Sequence, residues 1–124
     1  MNLVCVDDDP NLRALLKMVL GEVEDLDVRT YASGEEAISA CVEAPPDLVL
    51  VDMLMPGMDG LETLAALRAA PQTAHVPVMF MTGKAEARDI EIYKYAGAIG
   101  VLAKPFDLTA LPDVLRAALR DLKT

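Results

Sequence analysis

Residues 47–60 read Asp47-Leu48-Val49-Leu50-Val51-Asp52-Met53-Leu54-Met55-Pro56-Gly57-Met58-Asp59-Gly60. Leu48 to Val51 is an unbroken aliphatic run. A strand with one wet face would alternate apolar and polar residues, so this run predicts a strand covered on both faces. Asp52 closes the run, Pro56, Gly57 and Gly60 punctuate a loop, and Leu61 to about Ala69 follows as a helix that Pro71 ends. The unit is therefore strand, acidic residue, loop and helix.

The same order recurs outward in both directions. Leu3 to Val6 is followed by Asp7-Asp8-Asp9, Val76 to Met81 by Thr82, and Ile99 to Ala103 by Lys104-Pro105. With a further strand at about 26–31, the reading is five βα units, with strands at about 2–7, 26–31, 47–52, 77–82 and 99–103. Alternation of this kind predicts an α/β fold, a doubly wound five-stranded parallel sheet with helices on both faces. Helix one follows Pro10 and carries Leu12, Leu15, Leu16, Val19 and Leu20 on one stripe up to Gly21. Helix two opens on a Ser33-x-x-Glu36 capping box and runs to about Val42, before Pro45-Pro46. Helix four, Ala85 to Ala96, has a poor stripe, with Ile92, Tyr93 and Tyr95 spread around it, which predicts a mobile or partner-facing element. Helix five carries Leu111, Val114, Leu115, Ala118, Leu119 and Leu122 at helical spacing. Pro112 suits only a first turn, so that helix starts nearer Leu111 than the capping-type Asp107.

Length and charge bound the function. At 124 residues and 53% hydrophobic, the expectation is one domain over 1–124. A formal net charge of -9 disfavours a nucleic-acid surface, which needs clustered Lys and Arg, and favours a basic or metal-bearing partner. No apolar run approaches the roughly 20 residues of a membrane span. Cys5 and Cys41 lack Cys-x-x-Cys spacing and no secretory leader precedes them, so reduced thiols in the cytoplasm are expected. His75 is solitary and reads as a loop residue, while Met53, Met55, Met58, Met79 and Met81 read as core filler.

Parallel strands would bring the four terminal groups to one sheet edge, where ligands of open α/β sheets bind. Neighbouring strands lie about 4.8 Å apart, so Asp7, Asp8 and Asp52 would crowd three carboxylates together. A hard divalent cation relieves that crowding; Mg²⁺ is expected, with Mn²⁺ as a substitute. Asp also caps helices and opens turns, and Asp9 is assigned to the cap of helix one. Thr82 alone is an ordinary β-branched strand residue, but at a strand end its hydroxyl can donate to a phosphoryl oxygen, with Gly83 leaving the backbone accessible. Lys104 is placed to neutralise phosphate or the carboxylates. Together these groups describe a phosphate-handling site.

The four groups, in this order and spacing, resemble the receiver domains of two-component response regulators, a similarity that runs over essentially the whole chain. The resemblance matches the family's acidic pair to Asp7 and Asp8, its phospho-acceptor to Asp52, its hydroxyl residue to Thr82 and its lysine to Lys104. It implies the flavodoxin-like strand order 2-1-3-4-5. It further implies that Asp52 takes a phosphoryl group from a histidine kinase or histidine phosphotransfer protein, with Mg²⁺ held by Asp8, Asp52, the Leu54 backbone carbonyl and water, and Asp7 acting through water. Thr82 and Lys104 would stabilise the added oxygens, and the change would be read by a downstream effector protein or domain. A monomer or a weak phosphorylation-dependent dimer is expected. Two departures from the pattern bear on the mechanism. Val101 stands where the family often has Tyr or Phe, so the signal is expected to pass through the loop after Thr82 and the Ile92/Tyr95 surface. Leu54 and Lys84 occupy the two positions that tune hydrolytic water. Two other readings compete: a haloacid-dehalogenase-like phosphatase with Asp7 as nucleophile, although Asn11 stands where that family wants Thr or Val, and a receiver-like adaptor that is never phosphorylated.

Overall fold

The computed structural model describes residues 1–83 and 86–122. Its elements are β1 (Asn2–Val6), α1 (Pro10–Leu20), β2 (Asp27–Tyr31), α2 (Gly34–Glu43), β3 (Leu48–Asp52), α3 (Gly60–Ala69), β4 (Val78–Thr82), α4 (Ala87–Tyr95), β5 (Gly100–Ala103) and α5 (Leu111–Leu122). All strand pairs are parallel and the order is β2-β1-β3-β4-β5, as the resemblance implied. The expected strands overran these bounds by one residue, at the far end of β1 and the near end of the others. The start expected for α4 at Ala85 lies outside the described residues.

The aliphatic runs do what their composition requires. β3 and β4 are buried along their whole length, and residues 3–6 of β1 are as well. Alternate side chains enter two separate cores. Val4, Val6, Val49, Val51, Val78 and Phe80 face α2 and α3 through Ala37, Cys41, Leu64 and Leu67. Leu3, Cys5, Leu48, Leu50, Met79 and Met81 face α1 and α5 through Leu16, Leu20, Leu111 and Leu115. Helices therefore cover both faces of the sheet. Within the predicted α1 stripe only Leu16 and Leu20 are buried; Leu15 is 43% exposed because it sits at the stripe's margin.

The helix caps set the loops that carry the site. Asp9 caps α1, its carboxylate accepting from the Asn11 N–H, with Pro10 in the first turn. Ser33 caps α2 by accepting from the Glu36 N–H, but the Glu36 carboxylate accepts from Ala32 N–H, so the returning arm of the box lands one residue early. A complete capping box occurs instead on α3, where Asp59 accepts from the Glu62 N–H at 2.8 Å and Glu62 accepts from the Asp59 N–H at 3.2 Å. Asp59-x-x-Glu62 is visible in the sequence and moves the helix start from the expected Leu61 to Gly60. Asp59→Ala is expected to cost about 1 kcal/mol, read as a lowered urea midpoint with an unchanged m-value; a shift within error would mean that the box carries no stability. Asp107 does not cap α5. It accepts from Thr109 N–H and Oγ1–H in the preceding turn, and α5 begins at Leu111 with Pro112 in its first turn.

Candidate functional site

Asp7, Asp8, Asp52, Thr82 and Lys104 all lie at the carboxyl edge of the sheet, because each ends or directly follows a parallel strand. β1 and β3 are neighbours, so their terminal carboxylates converge: one oxygen from each of Asp7, Asp8 and Asp52 lies within 4.8 Å of the others. Asp7 and Asp52 are buried and Asp8 is exposed.

Asp7 is tied down at every polar atom. Its N–H donates to the Tyr31 carbonyl, its own carbonyl accepts from Arg13 Nη1 at 2.8 Å, Oδ1 accepts from the Asp9 N–H at 2.9 Å, and Oδ2 pairs with Lys104 Nζ at 2.7 Å. Asp52 is held less tightly. Its Oδ1 accepts from the Leu54 N–H at 3.4 Å and lies 3.4 Å from Lys104 Nζ. Lys104 thus bridges the two buried carboxylates. Its Lys104-Pro105 peptide bond is cis, and its own N–H donates to the Thr82 carbonyl at 2.8 Å. Thr82 is buried at the end of β4, and a Cβ built on Gly83 would meet nothing within 4 Å.

Arg13 was not anticipated as a partner of this edge. It stands one turn past the Asp9 cap, where its side chain reaches back over the loop to Asp7. Spacing of four from a cap was the available signal, but a helical Arg in an acidic chain reads equally well as a solvated charge.

The electrostatics follow from crowding. Burial raises the Asp52 carboxyl above its ordinary range, the Asp7 charge raises it further, and Lys104 only partly offsets both. Burial is also the largest influence on Lys104 and pulls it down, but the hydrogen bond and charge of Asp7, with Asp52 behind them, win and leave the ammonium raised. Three hard oxygen donors around excess negative charge fit a small divalent ion such as Mg²⁺, which takes one or two carboxylates and keeps several waters.

Other sequence candidates lie elsewhere. Ile92 and Tyr95 on α4 are 50% and 95% exposed, and Val101 on β5 is partly buried. His75 is exposed in a turn, and Met53, Met55, Met79 and Met81 are buried core residues. Lys84 lies outside the described residues. Cys5 and Cys41 are buried free thiols on opposite faces of the sheet. Burial, helped by Asp7, pushes the Cys5 thiol up to about 12, and burial raises Cys41 against the opposing pull of Arg29. A raised thiol contributes stability below the ordinary value of 9.0 that is lost as pH climbs toward about 12. Ellman's reagent at pH 8 is therefore expected to find both thiols silent in the folded chain and reactive in denaturant; a fast native reaction would contradict that burial.

Comparison with known proteins completes the assignment. The response regulator receiver domain family matches residues 3–116. The chain belongs to that family. The receiver is 36% identical over 118 residues to the DNA-binding response regulator MtrA of Mycolicibacterium smegmatis, covering 95% of this chain and 50% of MtrA. It is 30% identical over 122 residues to a probable cyclic di-GMP phosphodiesterase of Vibrio cholerae, covering 98% of this chain and 27% of that protein. The receiver thus spans about half the length of its MtrA relatives. Among solved structures it is similar to the Vibrio cholerae chemotaxis protein CheY4, with a TM-score of 0.87, 29% identity, and coverage of 94% of this chain and 97% of that one. Receiver domains are phosphorylated by histidine kinases, act on effectors and bind Mg²⁺ at an acidic pocket. Asp7, Asp8 and Asp52 form a cluster of three carboxylates at the sheet edge. Among the described residues no helix is long and apolar enough to cross a membrane.

Proposed function

We propose that Asp52 is the phosphoryl acceptor of a receiver over residues 1–124, and that the donor is a phosphohistidine on a kinase or phosphotransfer protein. One contrast carries this reading. Asp7 has both carboxylate oxygens engaged, whereas the hydrogen bond and the ion pair of Asp52 among the described residues both fall on Oδ1. Oδ2 of Asp52 is therefore the oxygen presented to phosphorus. As its bond to phosphorus forms, the bond from phosphorus to the donor imidazole nitrogen breaks, and that nitrogen leaves carrying the bond's electron pair.

Asp8, Asp52 and the Leu54 backbone carbonyl would hold Mg²⁺, with Asp7 acting through water, and the ion would supply charge neutralisation to the incoming phosphoryl oxygens. Lys104 already sits between Asp7 and Asp52 and needs only a small displacement to meet a phosphoryl oxygen. Thr82 donates its hydroxyl to another, and its shift alters the loop that follows β4. That biases a pre-existing equilibrium toward a state that an effector binds through the exposed Ile92 and Tyr95 surface beside Val101. In a longer protein the effector is an attached output domain, a reading that the double-length relatives favour. The acidic receiver itself makes no direct contact with nucleic acid or membrane in this proposal.

The phosphatase reading, with Asp7 as nucleophile, is weakened by the full engagement of that carboxylate and its 2% side-chain exposure. Intact-mass spectrometry after incubation with a small phosphodonor and Mg²⁺ tests all three readings, label that persists in Asp52→Asn being the phosphatase outcome. Addition of one phosphoryl group to the parent and none to Asp52→Asn supports Asp52. No addition to either leaves the non-phosphorylated adaptor.

Leu54 is 67% exposed directly after the acceptor's hydrogen-bonded turn, and an apolar side chain there cannot orient a hydrolytic water. Leu54→Asn supplies one hydrogen bond worth about 1 kcal/mol, or about a fivefold rate increase. The phosphoryl lifetime of the variant is expected to be shorter by that factor; a longer lifetime would refute the idea.

A further inference from the structure

α4 is attached to the rest of the receiver in an unusual way. It contains no fully buried residue, and its Ile92 and Tyr95 side chains point to solvent. The partly buried Tyr93 ring is what it lends to the core, packing against the cluster that contains Phe80, Leu64 and Ala98. Tyr93 meets the fully buried Phe80 edge to face, with ring centroids 5.3 Å apart and planes at 83°. The same residue's carbonyl accepts from the Ala98 N–H at 3.1 Å, tying the end of α4 to the approach to β5.

Phe80 belongs to β4, two residues before Thr82, so the two side chains leave the strand on the same face. Its partner on β5 is Val101, so the aromatic neighbour of Phe80 comes from the helix and not from the adjacent strand. Burial, then the charges of Asp89 and Asp59, raise the Tyr93 phenol.

We propose that the Tyr93 ring, seated edge-on against Phe80, is the latch that couples the Thr82 end of β4 to α4. A shift of β4 at Thr82 displaces Phe80, and α4 must follow or release, since no other residue of the described helix joins either core cluster. The phosphorylation arm of this idea rests on Asp52 as acceptor, but the latch itself exists in the resting protein.

Amide hydrogen exchange over residues 90–96, read by mass spectrometry, tests both arms. In the resting receiver, Tyr93→Leu is expected to speed exchange in α4 about tenfold, Phe80→Leu to do the same from the other side, and Tyr93→Phe, which keeps the ring, to stay within about twofold of the parent. Lys94→Ala on the same helix is the control and should leave protection unchanged. In the presence of phosphodonor and Mg²⁺, the parent is expected to change α4 protection and Tyr93→Leu to lose that response while gaining the same phosphoryl mass. Unchanged resting exchange in both Tyr93→Leu and Phe80→Leu would overturn the latch, as would a phosphorylated parent whose α4 protection does not move. Absence of the phosphoryl mass would overturn the acceptor assignment alone, because the resting arm still decides the latch.

Discussion

Asp52→Asn is expected to bring phosphoryl incorporation to background, while Asp7→Asn still accepts a phosphoryl group at higher Mg²⁺. The carboxamide that Asp52→Asn introduces has no anionic oxygen to attack phosphorus, and no neighbouring carboxylate can replace it. Asp8 is exposed but lies outside the Lys104 bridge, and Asp7 has both oxygens engaged. Asp7→Asn keeps the shape of that side chain and loses one charge beside the metal position. Changes to groups that orient metal ligands weaken metal affinity about 10–100-fold, so the Mg²⁺ needed for half-maximal labelling should rise by a factor in that range. Misfolding does not account for the loss in Asp52→Asn, because that variant is expected to be the more stable one without metal. The Asp52 carboxyl is raised in the fold, so its charged form is disfavoured there, and native stability falls as pH rises from the ordinary value of 3.8 through the raised one. Removing the charge should therefore raise the urea midpoint of the metal-free protein at neutral pH. Labelled Asp52→Asn, or labelling lost with Asp7→Asn alone at saturating Mg²⁺, would defeat the assignment.

Lys104→Met is expected to destabilise the metal-free receiver by about 2–3 kcal/mol, a large share of the 5–15 kcal/mol that holds a domain together. Its ammonium lies 2.7 Å and 3.4 Å from two buried carboxylates. Removing one partner of a buried pair leaves a desolvated charge behind; the Lys104 side chain is 28% exposed, so the loss sits below the full range for buried pairs. The raised Lys104 ammonium contributes at every pH below its ordinary value of 10.5 and is lost only as pH climbs through the raised one. Two further outcomes separate this from lost packing. Mg²⁺ should restore part of the stability, since it supplies positive charge to the same oxygens. Asp7→Asn combined with Lys104→Met should also recover part of it, because the closer of the two stranded charges is then gone. Equal urea midpoints for the parent and Lys104→Met at pH 7 would show that the bridge contributes nothing.

Most of the architecture is legible in local chemistry. The runs Leu3 to Val6, Leu48 to Val51 and Val76 to Met81 are short, apolar and bounded by turn residues, as interior strands are, and Pro10, Pro45-Pro46 and Pro71 mark helix limits. The start of α3 was legible too, in Asp59-x-x-Glu62, although the Gly- and Pro-rich loop before it obscured the cap. Arg13 and Tyr93 were not legible in their roles. An arginine on a helix and a tyrosine on a weak stripe acquire meaning only when the chain brings Asp7 and Phe80 to them.

The sequence by itself determined which residues stand at strand ends, and so which chemistry meets at the sheet edge, because burial on both faces admits only unbroken apolar runs and polar groups must wait for their ends. Tertiary structure alone decided how the charges are shared. Lys104 joins Asp7 across 97 residues and leaves Asp52 the less engaged carboxylate, and the Phe80 ring, next to small Val101, meets its aromatic neighbour from α4. Those pairings depend on distances between elements far apart in the chain, and local composition carries no information about such distances.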